Sequence, residues 1–298
     1  MICVSFITDY GLADGFVAAC HGVILRTVPT ARIIDITHLV PPGDVRRAAT
    51  VLAQTVGSLP RGVHLAVVDP GVGTARRAVA LHAAGGDLVG PDNGLLIAAA
   101  ERLGGVRAAV TLPVPAGTPA TFHGRDVFAP AAAALAGGTE LAALGAPLDP
   151  ATLVRLPAPH TRLRPDGVLE AEVLLVDTFG NVQLSAAGPL LADAGLRPPA
   201  RARLWAVVPD AGRSGGASGD GTGDGTEAEA EDAGTDPATR VTELAVGVTF
   251  ASVQPGELVL YVDAAGMAAL AVRDGDAARA LAVAPADRLA ICRVGDAV

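Results

Sequence analysis

The sequence predicts two domains of different class: an α/β N-terminal domain with a mainly parallel sheet, and a smaller all-β domain of barrel or sandwich type. Three observations carry that expectation. Strand-like apolar runs alternate with helix-spaced segments over residues 1–156. Pro157, Pro159 and Pro165 then mark a linker over 157–166. From 167 to 298 the alternation gives way to short strand-like runs broken by turn residues. With 298 residues, the chain is long enough to bury two ordinary cores.

Each element follows from its local pattern. Residues 2–8 (ICVSFIT) read as a buried strand that runs into a loop at Thr8-Asp9-Tyr10-Gly11. Asp14 opens a segment with Phe16, Val17, Cys20, Val23 and Ile24 at helical spacing, closing before Pro29. Residues 31–37 (ARIIDIT) form the next strand, and Asp44 caps a helix reaching about Leu59. Residues 63–69 (VHLAVVD) are strand-like and end in the turn Pro70-Gly71-Val72-Gly73. Asp126 is placed to cap a helix running through Ala136. In the second half the strand-like runs are GVLEAEVLLVD, ARLWAVV, VTELAVGVTF, ELVLYVD, AALAV and DRLAICRV.

Composition excludes several classes of function. Half of the residues are hydrophobic but only 3% are aromatic, so the cores are built mainly from Ala, Val and Leu. All 22 basic residues are Arg, which rules out a Schiff-base lysine, a P-loop lysine and a lysine general base. The net charge of −9 argues against a nucleic-acid partner. Seven of those nine charges lie in 209–238, where eight acids face Arg213, so the remainder carries only −2. That Gly/Ser/Thr/Asp/Glu-rich insert reads as a disordered loop. Cys3, Cys20 and Cys292 fit neither a disulfide framework nor a zinc site, so a reducing, cytoplasmic setting is expected. There is no leader-like segment at the start and no apolar run of membrane-spanning length, so no membrane association is expected.

Four polar clusters could carry chemistry. Asp9 sits where a parallel strand ends, the usual place for ligands in such sheets, and its carboxylate could accept both hydroxyls of a ribose. The bland alternative is a turn residue. Asp69-Pro70-Gly71-Val72-Gly73-Thr74-Ala75-Arg76-Arg77 allows the loop to fold Arg76 back onto Asp69, or to leave only a solvated ion pair. Phe122-His123-Gly124-Arg125-Asp126-Val127-Phe128 surrounds a histidine with ionisable groups and two of the six Phe residues. Asp177-Thr178-Phe179-Gly180-Asn181 fits a hairpin turn. It would also let Phe179 stack on a flat ring while Asn181 reads the ring's edge.

Taken in order, ITDYG, VVDPGVGTARR, VGPDNG, FHGRDVFAP and VDTFGN resemble the S-adenosyl-L-methionine hydroxide adenosyltransferase family, related to the fluorinase and chlorinase enzymes. The resemblance covers nearly the whole chain apart from the acidic insert. It implies a catalytic triad of Asp69, Arg76 and His123, with Asp9 on the ribose. Asp177 then falls on the methionine amino group, Asn181 on the adenine and Phe179 at the matching Phe. It also implies a homotrimer with active sites between subunits, S-adenosyl-L-methionine as the small-molecule substrate, and neither metal nor cofactor. The implied reaction is hydrolysis to adenosine and methionine by in-line attack of water at the ribose 5′ carbon. In the fluorinase the places of Asp69 and His123 look to be held by tyrosines and that of Gly124 by a serine, so this chain is more similar to the water-using branch. A halide-using enzyme of the same fold and a non-catalytic nucleoside-binding module are the alternatives. Two departures bear on the last of these. Ala264 and Ala265 stand where relatives carry a serine and an aromatic residue, and Arg273-Asp274 where Asn is frequent.

Overall fold

The computed structural model describes residues 2–207 and 241–295. The acidic insert read over 209–238 lies outside them. The chain divides into two compact units, Met1–Pro157 and Ala158–Val298.

The first unit contains seven strands and four α-helices among the described residues. These are β1 (Cys3–Thr8), α1 (Phe16–Thr27), β2 (Arg32–Thr37), α2 (Val45–Thr55), β3 (Gly62–Val67), β4 (Ala78–Ala83), β5 (Gly86–Pro91), α3 (Ile97–Arg102), β6 (Val106–Thr111), α4 (Ala129–Ala136) and β7 (Ala146–Leu148). They form one sheet in the order β2-β1-β3-β5-β4-β6-β7. The parallel character holds for β2, β1, β3 and β5, whose partners run the same way. From β4 onward the pairings are antiparallel, so the sheet is mixed. The cause is the Ala84-Gly85 connection: two residues can make a hairpin but cannot make the crossover that a parallel pair requires.

Helices cover both faces. Val4, Phe6, Val63, Leu65 and Val67 pack with Cys20 and Ile24 of α1 and the alanines of α4. Ile7, Ala66 and Val68 pack on the other side with Ala48, Ala49 and Leu52 of α2 and Ala99 and Ala100 of α3. All six residues of β1 are buried, as expected of a parallel strand sandwiched between helices. The small residues of α4 (APAAAALA) let its backbone approach the sheet closely, which is how a core poor in aromatics still fills.

Local signals settle the helix ends unevenly. Asp44 caps α2 by accepting the Arg47 amide at 2.9 Å, and the helix runs on as a short 3₁₀ turn to Ser58. Asp14 does not cap α1, which starts after Gly15 without a side-chain cap. Asp126 does not cap α4 either. It lies inside a π-helical turn, Gly124–Phe128, that leads into α4, and its carboxylate is taken by Arg125.

The second unit is a closed barrel. Its strands are β8 (Thr161–Leu163), β9 (Leu169–Val176), β10 (Val182–Ala187), β11 (Arg201–Ala206), β12 (Thr242–Val246), β13 (Leu258–Val262), β14 (Met267–Val272) and β15 (Arg288–Arg293), with helices α5 (Gly188–Asp193) and α6 (Ala277–Leu281). The hydrogen-bonded order is β10-β14-β13-β12-β11-β15-β9, and the β9–β10 pairing closes the ring of seven. Closure removes the exposed edges that an open sheet would have to protect. β8 lies outside the ring, paired with β9, so the proline-marked stretch 157–166 is not only linker.

Candidate active site

The first site is built by the carboxyl ends of β1 and β3. Asp9 follows β1, and its Oδ2 accepts the Gly43 amide at 2.9 Å, which ties it to the loop before α2. Asp69 follows β3. Asn93, from the VGPDNG motif, donates its Nδ2 to the Val68 carbonyl at 2.9 Å and so anchors that strand end.

Between Asp69 and Arg76 the chain turns twice. The Val72 amide donates to the Asp69 carbonyl at 3.2 Å and the Thr74 amide to the Gly71 carbonyl at 3.1 Å. Gly73 supplies the left-handed φ of +76° where a side chain would also collide with the Ala120 carbonyl. The result brings Arg76 back onto Asp69. Arg76 Nε lies 2.9 Å from Asp69 Oδ1, and Nη2 bonds Oδ2. Both side chains are almost fully buried, at 11% and 6% exposure, so this is not the solvated surface pair that the spacing alone allowed. Its neighbour Arg77 points elsewhere, to Asp92 at 2.7 Å and to Thr152, as a structural staple.

His123 completes the group. Arg76 Nη2 lies 3.1 Å from His123 Nδ1. A guanidinium has only donors, so Nδ1 accepts and the ring proton sits on Nε2. The Arg76 guanidinium also stacks over the Phe128 ring, 5.0 Å from its centroid. Its Nη1 is buried without a hydrogen-bond partner. One arginine therefore fixes both the carboxylate and the imidazole.

These residues surround a cleft of about 170 Å³ lined by Asp9, Tyr10, Asp69, Thr121, His123 and Gly124, among others. Tyr10 is the residue that sequence reasoning did not single out. Its ring meets Phe16 and Phe122 edge-on at 6.0 and 5.7 Å. Burial, reinforced by the charges of Cys20, Asp9 and Asp69, pushes its phenol far above the usual tyrosine range, so it faces the cleft as a neutral hydroxyl. Gly124 is the counterpart of that contact: a Cβ there would collide with Tyr10 Oη.

The second cluster lies in the barrel unit, on the β9–β10 hairpin. Asp177 Oδ1 accepts the Phe179 and Asn181 amides at 2.8 and 2.9 Å, and Asn181 Nδ2 donates to Asp177 Oδ2 at 2.7 Å. The turn reading of this motif is therefore correct at the level of backbone. Gly180, at φ +82°, packs so closely on Asp276 at the start of α6 that no side chain fits. Phe179 stands out from the tip, 77% exposed, an unusual position for an aromatic in a chain with so few. Asp9, Asp69, Arg76 and His123 thus form one group in the first unit; Asp177, Phe179 and Asn181 form another in the second.

Residues 4–145 match the family model of the SAM hydroxide adenosyltransferase N-terminal domain, and residues 220–290 match that of its C-terminal domain. The chain is similar to an (R)-S-adenosyl-L-methionine hydrolase of Salinispora tropica, with 54% identity over 292 residues and 97% of each chain covered. A fluorinase of an Actinoplanes species is more distant, at 30% identity over 207 residues, or 60% of this chain and 70% of the other. Among solved structures, a conserved protein from Thermotoga maritima superimposes with a TM-score of 0.82 at 32% identity, covering 97% of this chain and 100% of that one.

Proposed function

The chain belongs to the SAM hydroxide adenosyltransferase family, and from that premise we propose that it hydrolyses S-adenosyl-L-methionine to adenosine and L-methionine. The observation that carries this reading is the buried Asp69–Arg76–His123 group opening on a small cleft. The oxygen of a water molecule attacks the ribose 5′ carbon, the bond from that carbon to sulfur breaks, and the electron pair leaves with sulfur. Sulfonium departs as a neutral thioether, so the chemical step needs neither a metal nor a strong acid, and no cofactor is assigned.

The work left to the protein is holding water in line and removing its proton. Positioning contributes several kcal/mol to the rate. The Arg76–His123 hydrogen bond supports a division of labour between the other two groups. With its proton on Nε2, His123 donates to the water oxygen, and Asp69 accepts the proton that the water loses. Arg76 holds both in place through its planar fork. Asp9 is assigned to the ribose hydroxyls, Asp177 to the methionine amino group and Asn181 to the adenine edge, with Phe179 beside it. The exposure of Phe179 supports its ring stacking on a bound ligand.

Family membership supports a homotrimer in which substrate lies between subunits. Light scattering coupled to size exclusion tests this by mass: about three times 29.7 kDa is expected. Cys3, Cys20 and Cys292 are buried and form no disulfide among the described residues, which supports a cytoplasmic location. Among the described residues, no helix is long and apolar enough to cross a membrane.

The activity is tested by incubating the protein with S-adenosyl-L-methionine and separating the nucleosides by chromatography, with and without chloride. Adenosine and methionine are expected in equal amounts, independent of chloride, with the rate lowered by about 10²-fold or more in Asp69→Ala. A chloride-dependent halogenated nucleoside would overturn the hydrolytic reading in favour of the halide-using one. Binding without any product would favour the binding module.

A further inference from the structure

Away from the cleft, on the edge strand of the first unit, three side chains from three separate segments converge. His21 comes from α1, Asp35 from β2 and His38 from the loop after β2. Asp35 Oδ1 lies 2.9 Å from His21 Nε2 and 3.1 Å from His38 Nε2. All three ligand atoms fall within 4.8 Å of one another, and this is the single such group of three or more among the described residues. β2 ends the sheet, so this face is not covered by another strand.

The geometry is poor for a hydrogen-bonded cluster and good for an ion. One carboxylate oxygen serves two imidazoles. His38 is buried, with its side chain 2% exposed, yet its Nε2 has no properly aligned hydrogen bond despite the short distance to Asp35. An orphaned buried nitrogen aimed at a carboxylate and a second imidazole calls for a partner that is not a hydrogen donor. The other face of the His38 ring system is already fixed: Nδ1 lies 2.8 Å from Thr8 Oγ1, the outer-shell contact that orients a ligating histidine. The Phe6 ring packs 4.9 Å from the His38 ring and 5.8 Å from that of His21, giving the pair an apolar backing. Asp35 and His21 remain partly exposed, which leaves an entry path and room for water ligands.

We propose that His21 Nε2, Asp35 Oδ1 and His38 Nε2 form a binding site for one divalent transition-metal ion of the zinc class. Two imidazoles and one carboxylate are borderline ligands suited to such ions rather than to Mg²⁺ or Ca²⁺. Placing an ion about 2.0–2.2 Å from each atom requires the two short contacts to Asp35 to open slightly and the two imidazoles to close on the same point. The three ligands would be completed by water. The ion would cross-link α1, β2 and the loop after it, outside the catalytic group, so the hydrolytic step does not depend on it. Because the His38 carbonyl accepts the Gly11 amide at 2.8 Å, and Thr8 Oγ1 the Tyr10 amide at 3.1 Å, the same ion would also stiffen the loop that carries Asp9.

The test is metal titration of the full chain after chelator treatment and desalting. Calorimetry with Zn²⁺ and the visible ligand-field bands of Co²⁺ are expected to show one ion per chain. His21→Ala and Asp35→Asn each weaken it by about tenfold or more. His82→Ala, in a separate His–Asp pair with Asp87, leaves it unchanged. As a readout that needs no variant, Co²⁺ broadens the imidazole proton resonances of His21 and His38 before those of His82 and His160. No binding by the wild-type chain, binding that survives both ligand substitutions, or broadening that begins at other histidines would overturn the assignment.

Discussion

Arg76 is the residue on which the cleft turns, because it is the one side chain bonded to both Asp69 and His123. Arg76→Lys keeps the charge but loses the fork, and a single ammonium cannot hold a carboxylate bidentately while donating to an imidazole. We expect kcat to fall by roughly 10–100-fold with a smaller change in KM, measured by steady-state adenosine release. A raised KM with kcat unchanged would mean that Arg76 serves binding rather than alignment. Gly124 makes a second residue-scale prediction. A methyl group at this position would overlap Tyr10 Oη, so Gly124→Ala must push the Tyr10 ring out of its place between Phe16 and Phe122. A stability loss of about 1–3 kcal/mol by denaturant melting, with a raised KM, is expected. An unchanged KM would show that Tyr10 does not shape the cleft. At this scale the polar members of the cleft were readable from spacing. Asp69 and Arg76 lie seven residues apart across two glycines, and His123 stands among charges. Tyr10 was not, because its role comes from two aromatic partners, one of them over a hundred residues away.

Elements were legible where one local signal decides them. Asp44 before a helix-spaced run is such a signal, and its carboxylate does cap α2. Asp44→Ala is expected to cost about 1 kcal/mol in denaturant-induced unfolding while leaving turnover near wild type; a loss under a few tenths would mean that the cap is redundant. Asp126 shows where the same reasoning fails. Arg125 beside it captures the carboxylate, and the backbone takes a π-helical turn that no propensity scale announces. β8 and β10 were missed for a different reason. Three residues in a proline-rich stretch make β8, and Gln183 and Ser185 interrupt β10 with polar groups. Those groups have partners far along the chain, such as Asp263 for Gln183 at 2.5 Å. Strand identity there is set by tertiary pairing, which a local pattern cannot carry. The same holds for the sheet of the first unit, expected to be mainly parallel, where the two-residue hairpin at Ala84-Gly85 adds the antiparallel part.

For the molecule as a whole, the two-class architecture was readable from texture alone, while barrel closure was not, since it requires the β9–β10 hairpin to pair with β14 on one side and β15 on the other, both far along the chain. Stability against acid depends on a group buried far from any pattern. His64 lies inside the first unit with Nδ1 2.8 Å from Ser5 Oγ, and burial, opposed by the charge of Asp87, lowers its pKa to about 4. An unfolded histidine titrates near 6.5. Between those values the unfolded chain binds the proton and the folded chain does not. The contribution is therefore complete above about pH 6.5 and is lost as pH falls toward 4, to a total on the order of 3 kcal/mol. The melting temperature of the wild-type chain should drop across that window, and His64→Gln should flatten the drop; parallel profiles for the two would refute the assignment to His64.

If the cleft delivers water to the ribose 5′ carbon, the 5′-hydroxyl oxygen of the product comes from solvent, and isotope labelling reads that oxygen. The protein is given S-adenosyl-L-methionine in water enriched in ¹⁸O, and the products are weighed by mass spectrometry. One ¹⁸O in the 5′-hydroxyl of adenosine, with unlabelled methionine, is the result expected here. Label in the amino-acid product, or a thioether nucleoside in place of adenosine, would place the broken bond on the other side of sulfur and contradict the account.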